Sequence, residues 1–196
     1  MKRLITSIGL LIASIILPTQ AAIISIVPQD SASIIGEQLV VDLTISDLGH
    51  QQASSLSSFD INFLFDDNLL ALQSVDFGNQ LDLFGLGALL GGLQVVTNFA
   101  NGVINLVELS ADSVNDLNAF QAGSFVLATL AFNVIGNGTA DFFTQVNSLG
   151  DANGIALPNV ELVGATVNVA EPSMALLLAL GLAGLVVSRR FRALKN

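Results

Sequence analysis

Residues Ser57–Phe65 read SSFDINFLF, and this stretch decides the fold class. Phe59, Ile61, Phe63 and Phe65 occupy alternate positions, with Ser58, Asp60, Asn62 and Leu64 between them. An extended strand sends successive side chains to opposite faces, so this spacing makes one apolar face and one largely polar face. Gln38–Ser46 (QLVVDLTIS) repeats the pattern, with Leu39, Val41, Leu43 and Ile45 set against Asp42, Thr44 and Ser46. Both are expected to be half-buried strands of a sheet packed on one side.

The turns between such runs support this reading. Asn101-Gly102 separates QVVTNFA from VINLVEL, and both turn residues tolerate positive φ, which marks a hairpin. Asn137-Gly138 lies between SFVLATLAFNVI and TADFFTQV and is also read as a hairpin; Asn153-Gly154 marks another turn. Residues 22–168 are therefore expected to form an antiparallel β-sandwich of about nine strands with no helix. Leu81–Leu93 (LDLFGLGALLGGL) fits neither period. It is read as a crossing strand or a short helical turn capping the core, or else as an exposed apolar surface for a partner.

Charge is distributed unevenly. All six basic residues lie near the ends (Lys2, Arg3, Arg189, Arg190, Arg192, Lys195), while residues 22–170 hold fifteen of the sixteen acidic ones. Such a domain repels nucleic-acid phosphates and anionic lipid, and favours cations or a basic partner. The absence of cysteine excludes disulfides, thiolate metal sites, a cysteine nucleophile and a lipoprotein anchor.

The two ends read as addresses. Lys2 and Arg3 precede the apolar run Leu4–Leu17, then Pro18 and Thr19-Gln20-Ala21, so residues 1–21 form a signal peptide cut between Ala21 and Ala22. At the other end residues 173–188 are uncharged and mostly apolar. As a helix they reach roughly 24 Å, short of the ~30 Å hydrocarbon core, a gap that snorkelling arginines and a thinned bilayer close. Arg189, Arg190, Arg192 and Lys195 then hold this end in the cytoplasm, in agreement with export of the N-terminal part.

The succession Ala170-Glu171-Pro172-Ser173, apolar helix and arginine cluster resembles the PEP-CTERM sorting signal, with Ala170 where the family usually has its first proline. The resemblance assigns residues 169–196 to that signal. It implies a membrane-embedded exosortase, a cysteine transpeptidase-like enzyme, acting near Glu171-Pro172 in an exopolysaccharide-making diderm bacterium. Proline keeps that region extended for processing. The alternative is a permanent tail anchor. The middle of the chain resembles cohesin-like domains through IISIVPQD, Ile35-Gly36-Glu37 with QLVVDLTIS, FDINFLFDDNLLALQSVDFG, GSFVLATLAFNVIGNGTADF and Leu149–Gly154. That likeness implies a nine-stranded jelly-roll sandwich that binds partners.

Chemistry-bearing constellations are scarce. The one histidine, His50, stands near Ser54, Ser55, Ser57 and Ser58, but no nucleophile-elbow motif is present. Asp66-Asp67 is the one adjacent carboxylate pair, and reads as a strand end and turn rather than a glycosidase pair. Trp and Tyr are absent, which weakens a carbohydrate-binding reading. From Asp151 an EF-hand register fails, with Ala156 at the sixth position and Leu162 at the twelfth. Asp30, Asp66, Asp67 and Asp151 remain candidates for a calcium site of another kind. The sequence thus predicts a non-enzymatic, exported binding or structural module of the envelope or extracellular matrix. Its expected partners are exosortase, the export machinery, and exopolysaccharide or another matrix protein.

Overall fold

The computed structural model describes residues 21–49, 55–99, 101–157 and 159–171. Two sheets face each other. The first holds β1 (Ile23–Pro28), β3 (Gln38–Ser46), β5 (Leu70–Phe77), β8 (Phe125–Val134) and β10 (Glu161–Val163), in the order β10-β1-β3-β8-β5. The second holds β2 (Ala32–Ile34), β4 (Leu56–Leu64), β6 (Leu93–Phe99), β7 (Val103–Leu109), β9 (Gly138–Asp151) and β11 (Ala165–Ala170), in the order β2-β11-β9-β4-β7-β6.

The alternating runs behave as their period requires. Leu39, Val41, Leu43 and Ile45 of β3 are fully buried, as are Ile61 and Phe63 of β4. Phe132 of β8 lies across the sandwich from Phe63 and Phe142, with ring centroids 6.1 and 6.0 Å away, and Phe65 closes the cluster at 4.9 Å. Offset aromatic contacts at these spacings add to the burial of the rings themselves.

Four details depart from the sequence reading. Eleven strands form rather than nine, because β2 and β10, three residues each, attach to the sheet margins. Both do so in parallel, β2 to β11 and β10 to β1, so the sandwich is mixed rather than wholly antiparallel. Asn137-Gly138 is not a hairpin: β8 pairs with β3 and β5, whereas β9 pairs with β4 and β11, and the turn carries the chain from one sheet to the other. Two short helices also occur, α1 (Gly87–Leu90) and α2 (Val114–Phe120). In α2, Ser113 caps the first turn by accepting a hydrogen bond from the Asp116 amide at 3.2 Å. Gln121 at its far end is buried and bonds both the amide and the carbonyl of Leu56, tying the helix to the start of β4.

At Asn101-Gly102 the hairpin expectation holds. Both residues have φ near +68°, and β6 and β7 pair in register from Leu93↔Leu109 to Phe99↔Val103. Primed turns of this kind match the twist of the strands they join. Among the described residues no helix is long and apolar enough to cross a membrane. The expected span, residues 173–188, lies outside them, as do His50 and residues 1–20 of the expected signal peptide.

Candidate binding surface

Strand register places an ordered array on the outer face of the six-stranded sheet. Four rows cross it from β6: Leu93, Leu109 and Ser58; Val95, Val107 and Asp60; Thr97, Asn105, Asn62 and Gln145; Phe99, Val103, Leu64 and Phe143. Asn105 donates to the side-chain oxygens of Asp60 at 2.6 Å and Asn62 at 2.9 Å, and Asn147 donates to the same Asp60 oxygen at 2.9 Å. The centre of the face is therefore a fixed polar cluster around one carboxylate. Apolar side chains flank it, with Phe99 52% and Phe143 58% exposed. The face therefore combines a fixed polar centre with exposed apolar side chains around it, an exposed patch of the kind that marks contact surfaces.

β6 is the margin of this sheet, and its Val96, on the opposite face, is exposed too. Beside it the Leu81–Leu93 segment divides its roles. Leu81 and Gly87 are buried, while Phe84, Leu86, Leu89 and Leu90 stand in solvent. Asp82 fixes the loop by accepting from the Gly87 amide at 2.8 Å, and Asp112 does so by accepting from the Leu83 amide at 2.8 Å.

Under this segment lies a cavity of about 260 Å³, whose lining includes Leu81, Asp82, Gln94 and Glu108. Glu108 is only 2% exposed because it shares the inward phase of β7 with Ile104 and Leu106. Its Oε1 accepts from Gln94 Nε2 at 2.7 Å, and its Oε2 has no partner among the described residues. Burial pushes its pKa up from the ordinary 4.5 to about 7; the Gln94 hydrogen bond pulls it down, and the Asp82 charge adds a further push upward.

The raised pKa makes stability pH-dependent. The folded chain keeps the Glu108 proton up to about pH 7, whereas the unfolded chain releases it near 4.5. The folded state therefore holds more protons in that window, and stability falls as pH rises through it, levelling off above. The shift corresponds to about 3 kcal/mol, or about 2 once discounted for solvent screening. Glu108→Gln is expected to raise the melting temperature at pH 8 by about 4–8 °C and to leave it unchanged at pH 4. Thermal scans of both proteins across this range check it; parallel pH profiles would contradict it.

The other sequence candidates fare differently. Asp66 and Asp151 spend their carboxylates on turns: Asp66 accepts from the amide and side chain of Asn68, and Asp151 from the amides of Asn153 and Ile155. Leu56 pairs with Asp151 at one end of β4, and Asp66 follows the other end, so the two lie roughly 30 Å apart by strand rise. Asp30 and Asp67 are exposed on separate loops, and no group of three potential metal ligands forms among the described residues. The structure thus does not assemble the four aspartates into one calcium site. Ser55 is buried and donates to Asn118 at 2.6 Å, in a structural tie. Ala22 is buried, and its carbonyl accepts from the Glu161 amide at 2.9 Å. Ala170 ends β11, and the exposed Glu171 accepts from Asn137 at 3.0 Å. Pro172, Ser173, Arg189, Arg190, Arg192 and Lys195 lie outside the described residues.

Against solved structures, a type II cohesin domain from the cellulosome of Acetivibrio cellulolyticus superposes with a TM-score of 0.62 at 18% identity, over 76% of this chain and 95% of that one. The fold is cohesin-like. The seventh ScaB type I cohesin from Pseudobacteroides cellulosolvens matches with a TM-score of 0.58 at 16% identity, over 78% of this chain and 94% of its own. The sixth cohesin of scaffoldin B from Acetivibrio cellulolyticus, solved in complex with a Cel5 dockerin mutant, gives 0.56 at 17% identity, over 76% and 99%. Identities this low carry the cohesin-like fold and none of the binding residues. No family model matches the sequence, and no curated protein does.

Proposed function

We propose that this chain is a non-catalytic, exported protein-binding module that presents the outer face of its six-stranded sheet to a partner. The observation that carries the reading is the Asp60–Asn62–Asn105–Asn147 cluster set among exposed Val95, Phe99, Leu109 and Phe143 on a cohesin-like sandwich. The cohesin solved with a dockerin lends support, because that domain uses the same architecture to hold another protein.

The tail adds the address. Residues 169–196 serve as a PEP-CTERM signal: the chain is exported, parked in the inner membrane by residues 173–188 and cut by exosortase near Glu171-Pro172. It then passes to the envelope surface or the extracellular polymer matrix. Glu171 is exposed where the last strand ends, as a processing site at the domain boundary requires. The intact mass of the chain from the host's envelope and medium tests this. A mass starting at Ala22 and ending near Glu171 supports sorting; one that retains Arg189–Asn196 makes the tail a permanent anchor.

Exopolysaccharide is the second reading, favoured by exposed Phe99 and Phe143 in one row of the face. It predicts retardation on a host-polysaccharide gel that Phe143→Ala weakens by about tenfold, as loss of one stacking contact implies. Binding to protein alone would remove this reading.

A further inference from the structure

The cavity beside β6 has a composition that neither folding nor the sheet face explains. A buried carboxylate oxygen without a partner costs a fold free energy, and native interiors rarely leave one unused. Here Glu108 Oε2 is in that position, in a cavity that also exposes Asp82. Leu81, Gly87, Ala88, Gly92, Leu93, Gln94 and Leu109 complete the lining, a mixed polar and apolar wall. Two carboxylates lining one cavity call for a cation, and residues 22–170 contain no Lys or Arg to supply one.

The donor set discriminates between cations. A calcium ion takes six to eight oxygens, whereas this site offers Glu108, Asp82, whose Oδ1 already accepts from the Gly87 amide, and Gln94, already engaged with Glu108 Oε1. A guanidinium or ammonium on a methylene stem suits it better. The stem lies along Leu81 and Ala88 while the charged head meets the carboxylates. At about 260 Å³ the cavity is smaller than usual small-molecule sites and has the scale of one long side chain. Leu93 and Leu109 belong both to the wall and to the first row of the outer face, so the cavity adjoins that face at its β6 corner.

We propose that this cavity is a receptor for a single arginine or lysine side chain of the protein partner, with Glu108 and Asp82 as its counter-charges. The partner is then a basic polypeptide, an identification that rests on the protein-binding reading above. The cavity's own affinity for a cationic side chain does not.

The test uses the exported chain, isotope-labelled and recovered from the host, with N-acetyl-argininamide as probe. Its uncharged counterpart, N-acetyl-citrullinamide, is the control. The carboxyl carbon resonance of Glu108 is followed by NMR. At pH 8 the arginine probe should shift it saturably with a Kd on the order of millimolar, the range open to one isolated side chain. The citrulline probe should leave it still. At pH 5, where Glu108 is protonated, affinity should fall about tenfold or more, since Asp82 alone then faces the charge; no basic group is among the described residues that line the cavity. Glu108→Gln should lose binding to the same degree at pH 8, followed through the Leu81 and Ala88 methyls. Equal shifts from both probes, or no saturation, would overturn the proposal. So would tighter binding of calcium alone. Because the probe needs no partner, a positive result stands even if the sheet face proves to bind no protein.

Discussion

Gly102→Ala is expected to destabilise the domain by about 3–5 kcal/mol, among the largest effects of any single methyl group. Gly102 has φ +69°, where an L-residue pays about 1–2 kcal/mol. A Cβ there would also lie 2.0 Å from the Phe65 carbonyl oxygen and 3.1 Å from its carbon. Those are backbone atoms that cannot swing aside, and the Phe65 amide holds the contact by donating to the Gly102 carbonyl at 2.9 Å. Relief requires lifting the β6–β7 hairpin from the end of β4, which breaks the sheet that carries the proposed face. Gly154→Ala is the matched control, with φ +76° and nothing within 4 Å of the added carbon. It should cost only about 1 kcal/mol. Urea denaturation of both variants decides the matter, and equal losses would remove the argument from close approach.

Phe132→Ala should cost about 3–5 kcal/mol for a different reason. The ring is fully buried between the sheets and touches Phe63, Phe65 and Phe142. Those neighbours belong to strands fixed by their own ladders, so the void collapses only in part. Phe143, next in sequence to Phe142 but pointing out of β9, provides the contrast: Phe143→Ala should change stability by less than about 0.5 kcal/mol. A denaturation midpoint for Phe132→Ala near that of Phe143→Ala would mean that the phenylalanine cluster does not hold the sheets together.

Much of this fold was legible before any coordinates. The in-phase residues of QLVVDLTIS and SSFDINFLF are buried almost as written, because a half-buried strand leaves its period in composition. Asn101-Gly102 declared its hairpin through a local requirement for positive φ. Asn137-Gly138 carries the same dipeptide, yet which strands pair beyond a turn is settled by long-range packing rather than by the turn. β2 and β10 were invisible because three residues hold too little periodicity to register.

The candidate surface was legible only in pieces. Asp60 and Asn62 could be assigned to the polar side of their strand, but their meeting with Asn105 and Asn147 depends on register across three strands. Glu108 carries a signal of its own in the sequence. In VINLVEL it falls in phase with Ile104 and Leu106, and an acidic residue on the apolar phase of a strand marks either a strand end or a buried charge.

The measurement that bears most directly on the binding reading is site-specific photo-cross-linking in the host. A photoreactive residue is placed at Val95 or Gln145, on the outer face of the six-stranded sheet. The comparison positions are Thr44 and Asp76, on the outer face of the other sheet. The account predicts a discrete protein adduct from Val95 and Gln145, none from Thr44 or Asp76, and loss of the adduct when Asn105→Arg breaks the polar centre. Adducts of equal yield from both faces, or from Thr44 and Asp76 alone, would contradict it.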